Sequence, residues 1–364
     1  MDLAGACSDT LLRSSISHRF QSWKGGISQH YGYMLSRKTR NPVLAVDWLP
    51  EKTVDKEGAA GLTLLVGEGG GEECRLLMTK WRLEEEAVAE TGELEELWKV
   101  AIPSDINRVR HMPQMPSIAA LQCAHSLLIY TLRSPQPSLT LEGPSRQGFG
   151  LDWNPLLLGT LVSGGYDRGV SLWDVQMATA LNRTVRPVKV WEVGSEVEDV
   201  TWSPHTSTLC LASTSSGLMI QIDTRSPVPL RSTSIHSGPC YSLSFNPLQS
   251  SLVATAGSDQ LVAVWDLRMP GVRLGVFKGH EGEVVVVSWA PFSERMLASG
   301  GKDRVVKVWN AGGREENKAV FTHEGHVSEV SDLSWHPSER LLIASSSEEA
   351  VQIWAIHESI LGED

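Results

Sequence analysis

Ser288-Trp289-Ala290-Pro291, Leu297-Ala298-Ser299-Gly300-Gly301-Lys302-Asp303 and Val305-Val306-Lys307-Val308-Trp309 follow one another between residues 288 and 309. The first piece ends an apolar strand on an aromatic and then turns. The second is a strand of small residues running into a tight Gly/Asp turn. The third alternates and closes on an indole. Working outward, the first landmark recurs at Asp47-Trp48-Leu49-Pro50, Asp152-Trp153-Asn154-Pro155, Thr201-Trp202-Ser203-Pro204, Ser244-Phe245-Asn246-Pro247 and Ser334-Trp335-His336-Pro337, and Arg110-His111-Met112-Pro113 fills the remaining slot. The closing residue recurs at Trp81, Tyr130, Trp173, Ile222, Trp265, Trp309 and Trp354.

Each landmark therefore occurs seven times, mostly 42 to 49 residues apart, close to the ~40–45 of WD repeats. The first gap, from Trp48 to His111, is longer and holds an insertion. Short strands at regular spacing, split by Gly and Asp turns, predict an all-β chain. One four-stranded blade cannot bury both its faces, whereas seven neighbours in a ring can, and the ring protects the sheet edges. The expected architecture is a seven-bladed WD-repeat β-propeller over residues 41–364, preceded by an N-terminal helix and arm over 1–40. In that arm Leu12, Ile16, Phe20 and Trp23 lie at helical spacing, which predicts a helix packed on the propeller's side. The seven glutamates between Glu84 and Glu96 read as a solvated loop.

Composition narrows the function. Net charge is −11, which disfavours a general nucleic-acid binder and permits a basic protein partner. No apolar run reaches the ~18–20 residues of a membrane span, and Met1-Asp2-Leu3 opens no secretory pattern. Cys7, Cys74, Cys123, Cys210 and Cys240 are dispersed without a CxxC pair, arguing against a disulfide framework or zinc site. The sequon Asn182-Arg183-Thr184 carries little weight without a secretory signal.

Three chemical motifs have plainer explanations. His280, Ser299 and Asp303 suggest a catalytic triad, but His236, Thr255, Asp259 and Trp265 repeat the arrangement one blade earlier, and a triad is recognised by geometry rather than composition. The expectation is a structural hydrogen-bond chain ending on Trp309. Gly67-Glu68-Gly69-Gly70-Gly71 lacks the Lys-Ser/Thr of a phosphate loop and reads as a hairpin turn. His323-Glu324-Gly325-His326 is not a metalloprotease motif, since its histidines are three apart. No cofactor, metal or catalytic residue is expected.

Several stretches carry a resemblance. Ile106-Asn107-Arg108-Val109-Arg110-His111-Met112-Pro113-Gln114, Gly148-Phe149-Gly150-Leu151-Asp152-Trp153-Asn154-Pro155, Val197-Glu198-Asp199-Val200-Thr201-Trp202 and Ser347-Glu348-Glu349-Ala350-Val351-Gln352-Ile353-Trp354 are similar to the retinoblastoma-associated histone-binding WD-repeat proteins. The likeness runs from about residue 20 to the end. It implies a nuclear, and also cytoplasmic, non-catalytic chaperone or scaffold subunit of chromatin assembly, deacetylase and polycomb-type complexes, with histones H3 and H4 and other basic peptides as partners. Direct nucleic-acid or membrane binding is not expected.

By that resemblance, Asp105, Asn107, Phe149, Glu198, Glu283 and Glu348 fall on the positions that contact a histone H3-like peptide at the mouth of the ring, where carboxylates suit Arg and Lys. Departures are Gln147 for an acid, Pro239 and Tyr241 for an acid and an amide, and Arg40-Asn41-Pro42 for Glu-Trp-Pro. A second, lateral groove would take a histone H4 helix, with Leu12, Ile16, Phe20 and Trp23 as its floor. Its acidic rim is reduced here to Asn310–Lys318, where Arg314 and Lys318 balance Glu315 and Glu316, so weak histone H4 binding is expected. Two other readings compete. Trp265-Asp266-Leu267-Arg268, with a degraded copy Ile222-Asp223-Thr224-Arg225, resembles the box by which cullin-type ubiquitin-ligase substrate receptors dock, with Trp265, Asp266 and Arg268 as its key residues. A glutamate-rich ribosome-assembly WD-repeat protein would share the Asn-Arg-Val-Arg and Phe-x-Leu-Asp-Trp features.

Overall fold

The computed structural model describes residues 31–39, 41–54, 60–70, 74–82, 95–143, 148–178, 183–312 and 318–360. These form seven sheets. Their first strands are Val43–Val54, Ile106–Met112, Gly150–Trp153, Val197–Trp202, Cys240–Phe245, Val284–Trp289 and Val330–Trp335. Each first strand packs on that of the next blade, and Val330–Trp335 packs on Val43–Val54, closing a ring of seven. Later strands of each sheet step outward as antiparallel neighbours.

The landmarks explain this packing. Trp48, Trp153 and Trp335 each donate an indole N–H to a backbone carbonyl of the preceding blade: Ser334 at 3.1 Å, Arg110 at 3.0 Å and Ser288 at 3.2 Å. The second strands carry small residues because they lie between blades. Leu209–Thr214, Leu252–Gly257 and Met296–Gly301 are buried along nearly their whole length. A methyl group added at Gly300 would stand 2.6 Å from Val330 Cγ1 on the next blade, closer than real carbon atoms approach. Ile220, Phe277 and Trp309 belong to apolar clusters that fill the gaps between sheets.

Three details depart from the sequence reading. Tyr31–Lys38, placed there in an N-terminal arm, is the outer strand of the seventh blade: it pairs antiparallel with Ala350–Ile356, with Leu35 opposite Ile353. The second blade gains a fifth strand, Thr184–Val185, parallel to Leu139–Leu141. The expected hairpin is present: Ala60–Glu68, which takes in Gly67 and Glu68, pairs antiparallel with Cys74–Arg82, and Gly69 and Gly70 follow its end. Glu95 and Glu96 lie in the strand Glu95–Ile102 rather than a loop. Leu12, Ile16, Phe20 and Trp23 lie outside the described residues, as do 83–94 of the acidic loop and 313–317 of the groove rim. Among the described residues no helix is long and apolar enough to cross a membrane.

Candidate functional site

First strands all begin at one end of the ring, and each hairpin between second and third strands returns there. Asp105 and Glu283 immediately precede first strands, Phe149 does so for the third blade, and Glu348 sits in the seventh blade's hairpin turn. Asn107 and Glu198 are the second residues of their strands. All six candidates therefore gather on one face.

A repeated irregularity selects which side chains meet the mouth. In six blades the pairing of first and second strands slips around the second residue: Leu44, Asn107, Glu198, Tyr241, Val285 and Ser331. A bulge re-aims the side chain that it frees from the ladder. Phe149 occupies the corresponding place ahead of Gly150–Trp153. The rim is thus a ring of bulge residues, which makes Tyr241 a member that the composition of the mouth had counted only as a departure.

The six candidates differ in what they are free to do. Asn107 is buried and donates from Nδ2 to the Gly148 carbonyl at 3.0 Å, so it braces the next blade. Asp105 accepts from the Gly70 N–H and the Cys74 thiol, anchoring a hairpin of the first blade. Glu283 pairs with Lys302 Nζ at 2.6 Å and accepts from the Tyr241 hydroxyl at 3.0 Å; the Lys302 bond holds its pKa below the usual carboxylate value. Glu348 is exposed. Glu198 stands apart. It is 9% exposed and no hydrogen bond or ion pair reaches it from the described residues. Burial first, then the charges of Glu196 and Asp199, push its pKa to about 7. Gln147 and Arg40 lie outside the described residues.

Below the rim, charged side chains join several blades. Arg108 donates to Asp332 at 3.0 Å and to the Phe149 carbonyl at 3.0 Å, and lies 3.9 Å from Asp199. Carboxylates on the inner strands also stitch neighbouring blades: Asp47 accepts the His111 N–H at 2.8 Å, Asp152 that of Trp202 at 2.7 Å, Asp199 that of Leu243 at 3.1 Å and Asp332 that of Val46 at 3.1 Å. The Asp199 and Asp332 side chains thus satisfy backbone donors and Arg108 together.

The triad-like residues form the expected structural chain. Trp309 donates to Ser299 Oγ at 2.8 Å, Ser299 meets His280 Nε2 at 2.8 Å, and His280 Nδ1 meets Asp303 at 2.8 Å. Trp265, Thr255, His236 and Asp259 repeat it with distances of 2.9, 2.8 and 2.8 Å. A shortened copy joins Trp354, Ser345 and His326. His326 is therefore a buried brace, and burial takes its pKa to about 3. His323 stacks on Trp354 with centroids 4.5 Å apart and meets Gln352 at 2.7 Å. Both histidines of the His323–His326 segment are committed to packing.

On the outer part of blades four and five, Arg225 and Arg268 occupy equivalent turns. Each side chain is 76% exposed and held by the aspartate two residues before it: Arg225 Nε donates to Asp223 at 2.9 Å and Arg268 Nε to Asp266 at 2.9 Å. Trp265 is not part of that surface, being buried with its N–H on Thr255.

Seven sheets in a ring, braced by repeated Trp–Ser/Thr–His–Asp chains, make this a seven-bladed β-propeller of the WD-repeat type, a class of protein-interaction scaffolds. A family model described as WD domain, G-beta repeat matches residues 317–355, and one described as EIPR1 beta-propeller matches residues 189–309. Together the matches run from the outer strand of the third blade to the seventh.

Proposed function

We propose that this propeller is a non-catalytic scaffold subunit of nuclear chromatin complexes that holds basic histone segments, of the histone H3-tail kind, at the mouth of its ring. The observation that carries the reading is Glu198: a buried carboxylate without a hydrogen-bond or ion-pair partner among the described residues, re-aimed by a bulge onto the rim. Such a group is costly until a cation meets it, and a charge-assisted bond in a desolvated setting is strong. The net charge of −11 and the motif likeness of residues 106–114, 148–155 and 197–202 support the same reading. Because Lys302 already neutralises Glu283, Glu198 should dominate. Calorimetric titration with a histone H3-tail peptide tests this: Glu198→Lys should lower affinity at least tenfold, in line with the ~2–5 kcal/mol cost of losing a buried charge partner, and Glu283→Gln should lower it less. Undiminished binding by Glu198→Lys would overturn the assignment.

The paired Arg225 and Arg268 favour a second reading, docking to a cullin-type ligase adaptor. Two exposed guanidinium groups, each pre-oriented by its own aspartate, suit a polar partner surface. Co-purification of such an adaptor, lost in Arg268→Ala with peptide binding at the mouth intact, would support it.

A further inference from the structure

Between the third and sixth blades the rim is aromatic as well as acidic. Phe149 and Tyr166 face each other with ring centroids 6.5 Å apart and planes inclined at 59°. Tyr166 comes from the hairpin turn of the third blade, and Glu198 from the bulge of the fourth. The two are adjacent across the blade boundary, where the Val197 N–H donates to the Gly165 carbonyl at 3.1 Å, and the Glu198 charge adds to burial in raising the Tyr166 pKa. Tyr241 supplies a third ring, whose hydroxyl is likewise raised by burial and by Glu283, and then by Glu198 and Tyr166. Its outer side is occupied: Lys302 Nζ lies 5.7 Å from the ring centroid and neutralises Glu283. What this corner presents to a ligand is one buried carboxylate, unpartnered among the described residues, beside aromatic rings.

That inventory selects among cations. A lysine ammonium brings three N–H donors and a guanidinium five, and each donor taken out of water needs an acceptor. Glu198 can satisfy one or two. Methylation leaves the charge in place, replaces N–H by C–H and weakens hydration, which suits the negative faces of aromatic rings. We infer that the corner formed by Phe149, Tyr166 and Glu198 recognises a methylated lysine, the dimethyl form best: its single N–H meets Glu198 and its two methyl groups meet the rings. This rests on the basic-peptide reading of the mouth and names the modification that it prefers.

The test is calorimetric titration of the whole chain, at about pH 8 so that Glu198 is ionised, with one histone H3-tail peptide in two forms: unmodified, and with every lysine dimethylated. The dimethylated form should bind about fivefold tighter or more. In Tyr166→Ala and Phe149→Ala that ratio should fall to about one, whatever either change does to the affinity for the unmodified peptide; circular dichroism checks that each variant is folded. Equal or weaker binding of the dimethylated form by the unaltered protein would overturn the inference and leave the basic-peptide reading standing. Binding of neither form would overturn both. A ratio that survives in both variants would overturn the assignment to this corner. The central comparison is made within the unaltered chain, so it does not depend on a variant folding.

Discussion

Arg108 on the second blade donates to Asp332 on the seventh at 3.0 Å, joining two blades that are not neighbours in the ring. With Asp199 of the fourth blade 3.9 Å away on its other side, this guanidinium spans the channel beneath the mouth. Removing one partner of a buried ion pair leaves an uncompensated charge, at a cost of ~3–5 kcal/mol. Arg108→Met should therefore lower the urea midpoint by several tenths of a molar or more at pH 7. The loss should shrink near pH 4, as the stranded Asp199, whose pKa burial raises, takes up a proton.

Glu198 should trade stability for binding. Its folded pKa, about 7, lies above the ordinary carboxylate value. The folded state then holds a proton that the unfolded state has lost between about pH 4.5 and 7, and in that window stability falls as pH rises. Glu198→Gln should raise the free energy of unfolding at pH 8 by about 1–3 kcal/mol, with little change at pH 4. The same variant should lose affinity for the basic peptide. For the unaltered protein, peptide affinity should climb from pH 6 to pH 8 as the carboxylate ionises. A flat profile measured by calorimetry would contradict both.

The Trp–Ser/Thr–His–Asp chains are braces, so breaking equivalent links should have equivalent effects. Ser299→Ala and Thr255→Val each orphan a buried histidine nitrogen and an indole N–H. Each should cost about 1–3 kcal/mol in chemical denaturation. Markedly unequal losses would point to a special role for one blade.

Much of this architecture was legible because the landmarks do physical work that only certain residues can do. Trp48, Trp153 and Trp335 at the ends of first strands bond the preceding blade, and Trp173, Trp265, Trp309 and Trp354 in third strands bond Ser or Thr inside their own, as Trp173 does with Ser163 at 2.9 Å. The mouth was legible only in outline. Asp105, Asn107, Glu198, Glu283 and Glu348 share a face, but the sequence does not show that Asn107 is consumed by Gly148 or that Lys302 claims Glu283, since those partners meet through a turn or between blades. Tyr166 was missed for the same reason: its neighbour Glu198 belongs to the next blade. A usable signal did exist. Aligning the repeats at the second residue of each first strand brings Asn107, Glu198 and Tyr241 into one column. The arm was misread because Tyr31–Lys38, read without its partner, gives no hint that it completes a sheet ending at Ile356.

The seam should be the ring's point of failure. Leu35 is fully buried opposite Ile353, and Leu35→Ala should cost about 2–5 kcal/mol. Hydrogen exchange should show Tyr31–Lys38 and Ala350–Ile356 losing protection together and before the inner strands of the fourth and fifth blades.

That strand pairing also sets an order of events in synthesis. Residues 31 to 38 leave the ribosome ahead of the rest of the propeller but have no edge to join until more than three hundred further residues have followed, so contacts of very high sequence separation form late. Until then the ring is an open crescent with two unpaired borders, and an exposed border is a template for another chain. A nascent propeller of this design has good reason to be escorted by a chaperone until its seventh blade is complete. Once latched, its first and last described strands are neighbours, so a cut through an exposed turn on the far side would leave every blade supplied from one rejoined chain.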